Sequence, residues 1–252
     1  MSGEIYSPGV DVTRCAPDEL AGYGDAMVRA FAPGAARAWR ADGAVAMVAV
    51  DAELRVPILL GVGADAAVAE VVAYAARDGD VPGEVIVPSG AMPLLPSWLR
   101  PDAVDAWVWR SLSAPPEPQA GEERAGWLSE ADHDALKALI SAAAPGSSVW
   151  PGDPAARRWA GIRDERGLRA CLADTSRLPG VGHVSGIATA PDARGRGYGG
   201  AVTAWAARRM FMEGAELVTL GVYAENAAAG RVYDRLGFSA EHRMSSGRAP
   251  GA

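Results

Sequence analysis

Two periods of apolar residues run along this chain. Short stretches of consecutive or alternating apolar residues predict strands at Val45–Val50, Val56–Leu60, Glu84–Val87, Ala106–Leu112, Arg158–Ile162, Leu168–Ala173, Gly182–Thr189, Leu217–Tyr223 and Phe238–Met244. Apolar residues spaced three and four apart predict helices at Pro17–Ala32 (through Leu20, Met27, Val28 and Phe31), Asp65–Arg77 (through Val68, Val71, Val72 and Ala75), Ser129–Ala143, Gly197–Met212 and Asn226–Leu236. Asp65 stands at an N-cap position, Ser129 precedes Asp132 in capping-box spacing, and Gly237 stops the last helix. Asp51–Arg55 and Arg163–Gly167 each sit between two strand runs as hairpin turns, Ser89–Leu99 holds a short helix, and Pro145–Pro154 reads as a loop. Ser245–Ala252 carries no apolar pattern and reads as a frayed tail. The interleaving of strands and helices implies an α/β (α+β) fold.

The segment Ser113-Ala-Pro-Pro-Glu-Pro-Gln-Ala120 has three prolines in four positions, which neither a helix nor a central strand tolerates. It divides the sequence into a first domain at 1–113, a linker at 114–120 and a second domain at 121–252. Charge changes across it. Residues 1–120 hold 8 basic and 16 acidic side chains, net −8, whereas 121–252 hold 16 and 15, net +1, which together give the −7 of the 252-residue chain. This balance argues against generic nucleic-acid binding, which needs surplus cations. The absence of an apolar run near 18 residues argues against a membrane span. Cys15 and Cys171 are too few for a disulfide framework or a cysteine-built metal site, and His133, His183 and His242 have no ligand spacing. With no basic, apolar leader at Met1–Glu4, the expectation is a cytoplasmic protein. The arginine excess over the single Lys137 reads as compositional bias.

The sharpest chemical signal is Arg194-Gly-Arg-Gly-Tyr-Gly-Gly200, which follows a strand and opens a helix. Glycines let the backbone turn tightly and approach a ligand, and the first-turn amides of a helix are unpaired donors that suit an anion. A Walker loop is excluded because the lysine is missing. Gly195, Gly197 and Gly200 also satisfy the dinucleotide spacing, but too little chain follows for a doubly wound sheet. A purely structural glycine turn is the plain alternative.

With Ile187-Ala-Thr189 before Pro191, Arg194-x-x-Gly197-x-Gly199, and then Leu220-Gly-Val-Tyr-Ala-Glu-Asn226, Arg231-Val-Tyr233 and Leu236-Gly-Phe238, the second half resembles the GNAT superfamily of acyl-CoA-dependent N-acetyltransferases over about 121–244. The resemblance implies acetyl-CoA as co-substrate and a small-molecule or peptide amine as acceptor. Ile187, Ala188 and Thr189 would pair with the pantetheine arm. Arg194, Gly195, Arg196, Gly197, Tyr198, Gly199 and Gly200 would hold the pyrophosphate. Asn226 would bond the cofactor beside splayed parallel strands. Tyr233, two turns further on and expected on the same helix face, would protonate the leaving thiolate, or else it is a buried helix aromatic. His183 stands where several relatives carry a glutamate base, and imidazole accepts a proton near neutrality. It would serve as base or merely fill a strand face. Asp174, Glu165 and Glu225 are the fallback bases.

The first half has Gly61-Val-Gly63 before a helix, but nothing in step with Arg194, Asn226 or Tyr233. Its element order resembles a worn second copy, as in the tandem glycine N-acyltransferase-like branch, giving two GNAT-like domains, each a mixed, mostly antiparallel sheet flanked by helices. An unrelated α/β domain is the alternative. A worn copy would shape the acceptor cleft, with tryptophans 98, 107, 109, 150 and 159 as candidate lining or plain core, and its acidity would draw a cationic acceptor weakly. The competing functional class is a non-catalytic acyl-CoA-binding or regulatory module.

Overall fold

The computed structural model describes residues 9–20, 22–50, 57–78 and 83–250. In chain order its elements are β1 (Thr13–Cys15), α1 (Ala26–Phe31), β2 (Arg37–Ala41), β3 (Ala44–Val50), β4 (Pro57–Gly63), α2 (Asp65–Asp78), β5 (Glu84–Pro88), β6 (Asp105–Leu112), β7 (Ala125–Trp127), α3 (His133–Ala143), β8 (Arg158–Asp164), β9 (Gly167–Asp174), β10 (Val181–Thr189), α4 (Tyr198–Met212), β11 (Leu217–Tyr223), α5 (Ala227–Arg235) and β12 (Ser239–Arg248), with short 3-10 turns between some of them. The expected turn at Asp51–Arg55 lies outside the described residues. The chain forms two compact units, divided between Val108 and Trp109 inside β6 and again between Glu241 and His242 inside β12.

In the first unit the strands lie in the order β1-β2-β3-β4-β5-β12. Neighbours are antiparallel except β4 and β5, which run parallel because α2 carries the chain back between them. The apolar face of α2 (Val68, Val71, Val72, Ala75) closes over Trp39, Leu59, Val85 and Val87, all fully or nearly fully buried. Burial of each valine contributes on the order of 1.5–3 kcal/mol. The Trp39 indole N–H donates to Asp78 at 2.9 Å, tying the end of α2 to β2.

Two expectations fail in this unit. The single helix at Pro17–Ala32 is instead a 3-10 turn at Pro17–Leu20 followed by α1. Gly22 and Gly24 fall between them, and each would cost a helix about 1 kcal/mol. Asp25 then restarts the helix by accepting from the backbone N–H groups of Met27 and Val28. The expected frayed tail is ordered as far as Arg248. Ser245, Ser246, Gly247 and Arg248 pair with Val87, Ile86, Val85 and Glu84 of β5. A ladder is built from backbone groups, so a polar Ser-Ser-Gly-Arg segment joins it without an apolar pattern. Ser246 and Ser245 add side-chain bonds to the Trp107 indole and the Ser89 hydroxyl. His242 is half-buried and bonds Asp25 at 3.1 Å.

The second unit orders its strands β6-β11-β10-β9-β8-β7. Here β10 and β11 are the parallel pair, joined by α4, while β7/β8, β8/β9 and β9/β10 are antiparallel. Alanines 201, 204, 206 and 207 are buried along α4, and such small side chains let it lie close to the sheet. The capping box of Ser129 and Asp132 forms in the turn leading into α3, and Arg163 pairs with Asp132. Residues 113–120 fall within this unit. The Gln119 backbone N–H donates to Glu122, whose carboxylate also pairs with Arg208 on α4. β1, β2 and β7 go unforeseen because strands of three to five residues with few large apolar side chains leave no periodic signal.

Candidate active site

β10 and β11 pair only through Val181↔Leu217, Gly182↔Val218 and His183↔Thr219, then part. Beyond that point β10 stays with β9 but bulges between Ser185 and Ala188. Gly186 makes the bulge possible. Its φ is +58°, and a Cβ there would meet the Trp159 ring at 3.2 Å. Past the bulge, Ala188 and Thr189 rejoin the ladder opposite Cys171 and Ala170. The β11-facing edge of Ile187–Thr189 is thus turned towards the gap between the parting strands.

The chain then makes a 3-10 turn at Pro191–Ala193 and enters α4 through Gly197. Gly195 and Gly197 have φ of +76° and +84°, and nothing lies within 4 Å of where their Cβ atoms would be. Residues 194–197 are exposed. The first helical bond of α4 is Ala201 N–H to Gly197 O, 2.9 Å. The backbone N–H groups of residues 195–200 donate to no group among the described residues. Six successive donors at the mouth of a 15-residue helix are a set suited to an anion.

Two sets of bonds hold this loop, and neither was visible in the sequence. The Arg194 guanidinium reaches the Ala143 carbonyl at 3.2 Å, capping the end of α3. On the other side, buried Arg169 of β9 pairs with Asp192 at 2.5 Å and with Asp164 at 3.4 Å. The hydrogen bond from Arg169 holds the Asp192 carboxyl below its ordinary range. The Tyr198 hydroxyl donates to Asp164 (3.2 Å), with Arg124 5.2 Å from its ring centroid. Tyr198 therefore turns its side chain into the scaffold and offers a ligand only its backbone N–H. Arg196 is exposed and makes no hydrogen bond or ion pair with the described residues.

Asn226 caps α5, its side-chain oxygen accepting from Ala229 N–H at 3.1 Å. It lies outside the helix and is exposed, whereas Tyr233 is 5% exposed, so the two side chains do not share a helix face. Tyr233 packs edge-on against Phe238, 5.9 Å between centroids. Burial pushes its phenol up to about 12, and the positive charge of Arg110 works in the opposite direction. His183 sits where β10 and β11 begin to part, with Nδ1 2.7 Å from the Thr219 hydroxyl. That hydroxyl donates to Gly182 O at 3.1 Å, so it accepts from the ring when Nδ1 carries the proton.

Of the fallback bases, Glu165 and Glu225 are exposed on turns. Asp174 is fully buried, held by Arg158 Nε at 2.9 Å and by the backbone and hydroxyl of Ser176. It also lines a cleft of about 280 Å³ with Arg157, Arg158 and Glu213, at the opposite end of β10 from the glycine loop. Cys171 is enclosed, and burial pushes its thiol up to about 12, which removes it as a nucleophile. Trp109 and Trp159 are core, and Trp98 and Trp107 belong to the first unit. Among its described residues that unit has no counterpart of the loop. Gly61-Val-Gly63 lies within β4, and Ala64 alone separates β4 from α2, where eight residues, 190–197, separate β10 from α4. Among the described residues, no cluster of His, Cys, Asp or Glu is placed to hold a metal ion, and no helix is long and apolar enough to cross a membrane.

A solved structure from the GNAT family of Novosphingobium aromaticivorans is 26% identical, with a TM-score of 0.54 over 77% of this chain and 88% of the other. A GCN5-related N-acetyltransferase from Kribbella flavida shares the fold at 22% identity, with a TM-score of 0.53 over 94% and 96% of the two chains. A mycothiol acetyltransferase from Corynebacterium aurimucosum is 33% identical over 117 residues, which are 46% of this chain and 38% of that protein. The family profile described as acetyltransferase (GNAT) matches residues 106–238, more than half of the sequence and all of the site built above. The chain belongs to the GNAT acetyltransferase family.

Proposed function

We propose that the second unit transfers an acetyl group from acetyl-CoA to the amine of a small molecule or peptide by direct attack. The observation that carries this reading is the run of six undonated N–H groups at 195–200, beside the parting of β10 and β11. The donor set fits a diphosphate: a charge-assisted bond from each amide contributes roughly 1.5–3 kcal/mol, and exposed Arg196 adds a cation. Ile187, Ala188 and Thr189 would pair with the pantetheine arm through the backbone edge facing the gap, and Asn226, its oxygen already used as a cap, would donate through its amide nitrogen. Bound acetyl-CoA supplies the acyl group as a thioester.

The remaining chemistry falls to side chains. His183 takes the proton of the acceptor amine. Tyr233 donates to the departing sulfur. A phenol near 12 exceeds an alkyl thiol of the cysteine type by about three units, so complete proton transfer is uphill by ~4 kcal/mol, and a hydrogen bond to the sulfur carries most of its effect. Calorimetry with coenzyme A, then thiol release across an amine panel, tests the reading. Absence of binding ends it, and binding without turnover on any amine makes the protein the non-catalytic module. Tyr233→Phe should lower kcat about 10–100-fold with coenzyme A affinity unchanged, and an unchanged kcat removes it as the donor.

We also read the first unit as a worn copy of the second. The antiparallel pair β3–β4, then α2, then parallel β5, repeats the order β9–β10, α4, β11. Its strand-to-helix passage through a single residue leaves no anion loop, so one equivalent of coenzyme A per chain is expected.

A further inference from the structure

Arg110 lies on β6 with its side chain only 9% exposed. It gives Asp234 a 2.6 Å bond, and the same nitrogen lies 3.4 Å from the Phe238 carbonyl. A Cβ on Gly230 would come within 3.6 Å of its other terminal nitrogen, so the guanidinium lies along the second half of α5. Tyr233 is the residue between these anchors. Its carbonyl accepts from Phe238 N–H at 3.0 Å, and its ring meets the Phe238 ring. Among the described residues the carboxylate paired with Arg110 is Asp234, which is 59% exposed, and the buried Arg110 Nε meets no hydrogen-bond partner there. A buried guanidinium with one solvent-weakened counter-ion is costly to hold, and its charge falls on the group beside it. Burial is the larger influence on the Tyr233 phenol and raises it, while the charge of Arg110, tied to the next residue Asp234, acts in the lowering direction.

We propose that Arg110 is the positioning residue of Tyr233: it fixes the α5 turn that carries the phenol and stabilises the negative charge left there when the phenol donates to the departing sulfur. This rests on Tyr233 acting as the donor. In that step the C–S bond breaks, the phenol O–H gives its proton to the departing sulfur so that the thiol leaves, and the phenolate regains a proton from solvent. The guanidinium makes a weak acid serviceable.

The test uses the full-length protein without ligand, with a difluorinated tyrosine at 233, whose phenol titrates well below that of tyrosine itself. Its fluorine resonance gives the titration midpoint. Arg110→Met should raise that midpoint by about a unit or more, and Arg110→Lys should leave it near the parent value. Arg110→Gln keeps donors for Asp234 and carries the same expectation as Arg110→Met if the methionine variant does not fold. In turnover, R110M should lower kcat about tenfold in the Tyr233 protein, leave the Km for acetyl-CoA unchanged, and cause no further loss in Tyr233→Phe. An unmoved midpoint with a lowered Tm makes Arg110 a structural tie and overturns the proposal, as do equal kcat losses in both backgrounds. A shifted midpoint with Y233F at full kcat overturns Tyr233 as donor and leaves the electrostatic coupling standing.

Discussion

Replacing Gly197 by alanine separates the conformational demand of the loop from its ligand chemistry. The residue sits at φ +84° with no atom within 4 Å of the added Cβ, so the cost is backbone strain alone. For an L-residue in the left-handed region that is about 1–2 kcal/mol. In a unit of this size it should lower Tm by roughly 3–8 °C. The same strain is relieved if the loop relaxes to negative φ, which turns neighbouring amides away from a common centre. Loss of two charge-assisted bonds at ~1.5 kcal/mol each weakens coenzyme A binding about 100-fold. Gly200→Ala is the control. It is helical, keeps its N–H, and places its Cβ 3.4 Å from Val232 Cγ1, so binding should stay within about threefold of the parent. Calorimetric Kd and thermal melts of both variants decide the matter. G197A binding coenzyme A as tightly as the parent, despite a lowered Tm, would refute the claim that these amides grip the diphosphate.

Other perturbations follow from the same contacts. Asp174→Ala leaves Arg158 without its enclosed partner and should cost about 3 kcal/mol in chemical denaturation, with kcat of the folded enzyme retained; loss of kcat at unchanged stability would reinstate Asp174 as a base. Burial pushes the Asp25 carboxyl up, but His242 and the N–H groups of Val28 and Met27 outweigh it, so its folded value lies below the ordinary 3.8. Its stabilisation is therefore complete above the ordinary carboxyl range and lost as pH falls through the lower folded value. Asp25→Asn should flatten the acid limb of stability against pH, and an unaltered limb counts against the pairing. Ending the chain after Glu241 strips β5 of its five paired residues, and limited proteolysis should then cut within residues 9–108, whereas a resistant first unit would show that β12 is dispensable to it.

What could be read from the sequence is what short-range physics controls. Helical and strand periods reflect which face of a local element is buried, so α2, α4 and the β8–β9 hairpin stand out from the residue pattern. The glycine loop is legible for the same reason, because positive φ and undonated first-turn amides are properties of neighbouring residues. Partners distant along the chain leave no such trace. Nothing at Arg110 announces Asp234, 124 residues away, and nothing at Arg169 announces Asp192. Tertiary structure decided that Tyr198 turns inward and that the polar segment 245–248 completes the first unit's sheet. In each case the deciding bond joins groups whose meeting depends on how elements pack, and a backbone ladder or a buried guanidinium accepts partners that no local pattern specifies.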